Sequence, residues 1–295
     1  MGTFVAGLPA GGVGCLHGGS YTGNFAIAAG NRTLQSAPSE RATINGYIWA
    51  KNTANFVTLK DLDVDGTTST STFAILVHGD DLTLDGLDVK NLKTGGLNAI
   101  CILAGQGFEP TPANIAYRLR VTRSRVHNCG DDNHEHGIYM ESTRDAVITD
   151  SWFYNNPGMG IDFYPDAQGT LVDHVLIDGN STALKQNLGF AGEEAGGEYT
   201  QNHASSNNVV TNSLITNAVT RYNVDAFYPA SSPLPVGNEV RFSCVWNAPF
   251  GNFGHDRPGD YTEHDNLNAD PLYTDRGTGD FTLRPGSPCA GKGPR

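Results

Sequence analysis

The stretch DDNHEHGIYMES, Asp131 to Ser142, places acids and two histidines immediately before a short alternating apolar run. Carboxylates and imidazoles this close together can exchange protons near neutral pH, and Asp131 and Asp132 offer the oxygen ligands that calcium prefers. The spacing matches neither an EF-hand loop nor a paired-histidine zinc helix, which leaves acid–base chemistry as the stronger reading. The plainer alternative is a polar turn in which His134 and His136 bond local backbone.

Alternation assigns directions to the side chains that follow. In GIYMES, Ile138 and Met140 point inward while Tyr139 and Glu141 point outward; in GIDFYPDAQG, Ile161 and Phe163 point inward while Asp162 and Tyr164 point outward. With these strands in neighbouring coils, Asp162 falls beside Tyr139 and Tyr164 beside Glu141, about 4.8 Å apart. Asp166 closes the cluster, and YNVDAFYPA puts Asp225 on the same face two coils further on. Lys185, in ALKQNLGFAG, is the nearest candidate cation, and His134 and His136 flank the mouth of this face. The expected catalytic groups are therefore His136, Tyr139 and Asp162. The expected substrate contacts are His134, Glu141, Tyr164, Asp166, Lys185 and Asp225. Acids rimming exposed aromatic rings suit sugar rings as well as proton transfer. Asp162 and Asp225 could equally be solvated outward residues, and Lys185 a surface lysine with a covered stem.

What must position these groups is legible as a repeat. The segments VTLKDLDVDG, LTLDGLDVKN, RVTRSRVHN, VITDSWFYN, DHVLIDG, VVTNSLITN and EVRFSCVWN share one pattern. Anchored on the last inward residue, it runs Val64, Val89, Val126, Phe153, Ile177, Ile215 and Val245, with intervals of 24 to 38 residues. Two residues after every anchor stands Asn or Gly: Gly66, Asn91, Asn128, Asn155, Gly179, Asn217 and Asn247. Both types accept the left-handed backbone region, so each unit is expected to end in the same tight turn. Short alternating strands, a fixed turn and coils of ~24 residues or more describe a parallel β-solenoid. The longer intervals containing AGQGFEPTPANIAY and AGEEAGGEYTQNHASS then read as loops growing out of a coil. The expected layout is one domain over 1–295: an N-terminal cap and first coil over 1–30, solenoid coils over 31–250, and a C-terminal capping segment over 251–295.

Composition agrees with many strands and turns, since 36 of the 295 residues are glycine and only 17% are charged. A net charge of -12 with no Lys/Arg-rich run gives no surface for tracking phosphates, so nucleic acid is excluded as a partner. A polyanion would need a bridging cation or a local cluster of basic residues. No apolar run is long enough to span a membrane. The cysteines Cys15, Cys101, Cys129, Cys244 and Cys289 lack zinc-type pairing. Two disulfides and one free thiol, in an extracytoplasmic protein, is the preferred arithmetic; five buried thiols in a cytosolic one is the alternative. The N-terminus MGTFVAGLPAGG is not a signal peptide, so secretion requires that a signal has been removed. NRT at Asn31 and NST at Asn180 match the glycosylation pattern.

The combination GGSYTGNFAI, PSERATINGYIW, NHEHGIYMES, GIDFYPDAQGT, LIDGN and DPLYTDRGTGDFTLRPGSPC resembles the secreted bacterial right-handed parallel β-helix proteins of the pectate-lyase-like superfamily. The resemblance covers nearly the whole chain and implies an all-β, right-handed solenoid of about eight to ten coils. It also implies pairing of Cys101 with Cys129 and of Cys244 with Cys289, leaving Cys15 free. The superfamily holds pectate and alginate lyases, epimerases, inverting hydrolases and members without known activity. The Asp-Pro-His-Asp element of the mannuronan epimerases, the triple-Asp pattern of the polygalacturonases and the Arg element of the main pectate lyases are missing here.

Three functions follow from this resemblance. The favoured one is a secreted or cell-surface monomer that cleaves a uronic-acid-containing polysaccharide by β-elimination, with calcium as the possible cofactor. The second is hydrolysis of a neutral glycan by Asp162 paired with Asp166 or Glu141. The third is a glycan-binding or structural solenoid without catalysis.

Overall fold

The computed structural model describes residues 2–95, 99–106, 114–193 and 203–295, and in it the chain is a right-handed parallel β-helix. Ten parallel strands, from Val13–Leu16 to Thr262–His264, form one sheet. A second assembly of 15 strands is two sheets that share one strand, Ala42–Ala50. The first part of that strand pairs with Leu62–Asp65, and its last part pairs with Phe73–Val77. From this fork one arm continues to Cys244–Trp246 and the other to Val224–Phe227. The bend lies at Gly46, with φ of 147°, in register with Gly23, with φ of 143°. A Cβ on Gly46 would stand 1.9 Å from the Gly23 carbonyl oxygen, so only glycine lets the two backbones stack here.

The expected anchor residues form one continuous column. Ile44, Val64, Val89, Val126, Phe153, Ile177, Ile215 and Val245 are successive register partners, each at most 1% exposed. A parallel column on the other arm holds Ile75, Ile102, Ile138, Ile161, Leu188 and Val224. Each such side chain contributes roughly 1.5–3 kcal/mol by leaving water, which is how a chain with 38% hydrophobic residues fills a narrow core.

The turn expectation needs correction at two of its positions. Asn128, Asn155, Gly179, Asn217 and Asn247 are left-handed, with φ between 53° and 63°. Gly66 and Asn91 are not. Gly66 opens a 3-10 turn capped by Asp65, and a Cβ there would come within 2.9 Å of Ala74 and of Asn91. Asn91 is wholly buried, and its amide donates to the Ile100 carbonyl at 3.0 Å. Close packing beside the fork, rather than backbone handedness, selects both residues.

Between the arms runs an asparagine ladder. Asn156 Nδ2 donates to Asn180 Oδ1 at 2.8 Å, Asn180 to Asn187 at 3.1 Å, Asn187 to Asn223 at 2.8 Å and Asn223 to Asn252 at 2.9 Å. Each amide offers both donor and acceptor, so stacking satisfies buried polar atoms that any apolar residue would leave orphaned. Asn180 is 0% exposed, so its NST motif presents no acceptor for a glycan, whereas Asn31 is exposed.

Cys101 bonds to Cys129 and Cys244 to Cys289, and Cys15 is free and exposed, as the resemblance implied. A short helix, Gly2–Gly7, precedes the first strand. At the other end an antiparallel hairpin, Tyr273–Asp275 with Asp280–Leu283, folds back over the arm ending at Cys244–Trp246. There Leu176, Leu214, Tyr273, Phe281 and the Cys244–Cys289 pair make a second, smaller core. The centres of the two expected long loops, 107–113 and 194–202, lie outside the described residues. Among the described residues no helix is long and apolar enough to cross a membrane.

Candidate functional site

Outward residues on the second arm form a file of register partners: Trp49, Leu76, Leu103, Tyr139, Asp162, Gly189 and Asp225. Asp162 thus stands beside Tyr139, and Asp225 lies two strands beyond, as the alternation predicts. Gly189 separates the two acids because Met159 Sδ and Gln186 Nε2 already fill the space above it; a Cβ would meet them at 2.5 and 2.7 Å.

The centre of this file is a buried histidine–carboxylate pair. His136 Nε2 lies 3.3 Å from Asp162 Oδ2, with both side chains almost wholly buried. The Met159 backbone N–H donates to His136 Nδ1 at 2.9 Å, so Nδ1 is an acceptor and the ring hydrogen sits on Nε2, facing the carboxylate. Burial, helped by the nearby charges of Lys185 and His134, pushes the imidazole well below its ordinary value and keeps it neutral. Burial raises Asp162 to about 7, with Lys185 opposing the rise and Glu141 adding to it. Oδ1 of Asp162 is buried and has no hydrogen-bond partner among the described residues. The carboxyl is therefore raised to about 7 with one oxygen 3.3 Å from the His136 ring and the other without a hydrogen-bond partner among the described residues.

Two tyrosines flank the pair. The Tyr139 ring packs edge-on to His136 at 5.2 Å and stacks nearly parallel to Tyr164 at 6.4 Å. Both are half-buried, and Lys185 is partly exposed on the following segment. Glu141 is 2% exposed and close enough to raise Asp162.

The other expected residues are engaged elsewhere. Asp166 pairs with Arg144 at 2.7 Å and accepts from Gln168 at 2.9 Å, inside a three-stranded sheet of Ala116–Tyr117, Ser142–Arg144 and Asp166–Gln168. Asp225 pairs with Arg221 at 2.9 Å, and burial raises its carboxyl despite that partner. His134 is exposed, 3.7 Å from Asp132 within its own loop. Arg144 and Arg221 are charged partners of these acids that were not among the expected residues. For Arg221 the signal was present, since RYNVD places it four residues before the acid.

Asp131 and Asp132 are occupied by backbone. The Asp131 carboxylate accepts from the Gly95 N–H at 2.9 Å, and Asp132 accepts from Asn133. Glu135 is 0% exposed and holds the same loop by accepting from the N–H groups of Ala99, Asp131 and Asp132. Among the described residues no three His, Cys, Asp or Glu side chains converge as metal ligands. DDNHEH is a loop folded around Glu135, with only His136 turned into the site.

No protein-family model and no curated protein sequence matches the chain. Its fold is similar to that of the Azotobacter vinelandii mannuronan C-5 epimerase AlgE4 A-module, with a TM-score of 0.62 and 13% identity, over 90% of this chain and 68% of that one. Pectate lyase Pel9A aligns with a TM-score of 0.58 and 12% identity, over 97% of this chain and 84% of that one. The Dettilon tailspike protein aligns at 0.52 and 12% identity, over 89% of this chain and 56% of that one. The fold is thus that of the pectate-lyase-like right-handed β-helices.

Proposed function

We propose that this chain acts on a linear, uronic-acid-containing polysaccharide and cleaves it by β-elimination. The observation that carries this reading is Asp162: a buried carboxyl raised to about 7, with a neutral histidine 3.3 Å from Oδ2 and no partner at Oδ1 among the described residues. A proton-abstracting group is most effective when its pKa lies near the working pH.

In this reading Lys185 faces the sugar carboxylate and acidifies the neighbouring C5–H. Ionised Asp162 takes the C5 proton through Oδ1, the C4–C5 double bond forms, and the C4–O4 bond breaks. The Tyr139 phenol gives its proton to the departing oxygen. His136 is a positioning residue, since its neutral ring packs 3.3 Å from the Asp162 carboxyl. Because Asp162 is 4% exposed, the sugar reaches it only when a neighbour moves, and Tyr139 is the neighbour in register with it. Two disulfides support action outside the cytoplasm, where such bonds persist.

The test is ultraviolet absorbance of unsaturated uronate ends across a panel of polyuronates. Absorbance that rises with wild type and not with Asp162→Asn supports the reading. Glu141 beside Asp162 favours hydrolysis as the second reading, because it supplies a paired carboxyl in a different environment. New reducing ends without absorbance would select it, and the absence of both would leave a binding protein.

A further inference from the structure

The C-terminal hairpin and the last residues of the chain border an open cavity of about 600 Å³ on the outer face of the other arm, away from the Asp162 file. Its lining combines an aromatic ring with positive charge. The Arg125 guanidinium lies 4.7 Å from the centroid of the Trp152 ring, close enough to Tyr154 to act on its phenol. Lys292 reaches Asn212 Oδ1 at 3.4 Å. Among the described residues neither Arg125 nor Lys292 belongs to an ion pair, whereas Arg295, on the same wall, is committed to Asp150 at 3.0 Å. The one acid on the wall, Asp280, is turned to Thr282, accepting from its hydroxyl at 2.6 Å and its N–H at 3.1 Å. Asp88, the other acid near Arg125, is engaged by His127 at 3.1 Å.

Two cations outside any ion pair among the described residues, around one cavity, stand out in a chain with 31 acidic and 19 basic residues. Stacking on Trp152 holds the Arg125 guanidinium flat, with donors preset for a carboxylate. The volume lies in the range of small-ligand sites, and the threonine and glycine segments of the hairpin supply hydroxyls and backbone groups suited to a polyol. We infer that this cavity is a second carbohydrate site that binds one or two uronate units, with Arg125 and Lys292 holding a sugar carboxylate. It takes the sugar class of the proposed reaction but stands on different residues, so it does not depend on Asp162 being catalytic.

Calorimetric titration with a galacturonate disaccharide, and with cellobiose as the neutral control, tests it. Wild type should bind the uronate and not cellobiose, and Lys292→Gln and Arg125→Gln should each weaken binding roughly tenfold. Asp162→Asn should retain the binding that Lys292→Gln weakens, which separates this cavity from the reacting site. Should Arg125→Gln fold poorly, Arg125→Lys replaces it; losing the planar fork but not the charge, it should weaken binding less. Equal affinity for cellobiose, undiminished binding in Lys292→Gln, loss of all binding in Asp162→Asn, or no heat from the uronate overturns the inference.

Discussion

Asp162 is where stability and chemistry oppose one another, and the conflict can be measured. An unfolded aspartate ionises near 3.8, whereas burial holds the folded carboxyl at about 7. Between those values the unfolded chain gives up a proton that the folded chain keeps, so stability falls as pH rises through this window and is level above it. A displacement of about three units at ~1.4 kcal/mol each amounts to roughly 4 kcal/mol. Asp162→Asn has no proton to lose and still offers an acceptor to His136 Nε2–H. Its stability relative to wild type should climb from near zero at about pH 4 to roughly 4 kcal/mol above about pH 7. Lys185 and Glu141 act on this carboxyl and His136 lies beside it in both proteins, so their contributions largely cancel in the difference. Urea unfolding across a pH series, with m-values compared to confirm the same transition, gives the curve directly. Parallel pH profiles for the two proteins would refute a buried, high-pKa carboxyl. A variant less stable throughout would show instead that the ionised form is well paired.

Other substitutions probe separate parts of the architecture. Tyr139→Phe should lower kcat by roughly 10²-fold or more while leaving the urea midpoint within experimental scatter, measured on whichever polyuronate is cleaved. The rate of wild type should rise with pH and level off above about pH 7, because the base must be ionised; a rate that falls over that range would assign Asp162 to the acid role. Asn180→Ala should destabilise by roughly 3 kcal/mol or more in denaturant titration, since it orphans the Asn156 amide and the Phe153 carbonyl in the core. Cys101→Ser opens a bridge across 28 residues and should cost about 2–4 kcal/mol by the same measurement.

Much of this molecule can be read from alternation. Period-2 patterning gives the inward columns and the outward file because a strand has only two faces, and Asp162 beside Tyr139 follows once neighbouring coils are known. Contacts set by coil length are harder to see. Arg144 meets Asp166 across 22 residues and Arg276 meets Asp178 across 98, separations that no local pattern marks. Alternation also conceals what surrounds an acid. Asp162, Asp166 and Asp225 look alike in sequence, and only their neighbours, a neutral imidazole in one case and guanidinium groups in the others, divide them. In the DDNHEH loop, Glu135, between the two histidines, turns inward and accepts from the N–H groups of Ala99, Asp131 and Asp132, a role that alternation does not mark.

A stack of near-identical rungs carries an ambiguity that globular cores avoid, because skipping one rung leaves most neighbours still matched. The forked strand Ala42–Ala50 removes that freedom at one point. Its two halves must meet Leu62–Asp65 and Phe73–Val77 at once, so neither arm can slip by a coil without losing the other. The fork therefore works as an origin for counting. Every later rung, including the one that brings Tyr139 alongside Asp162, inherits its address from that segment.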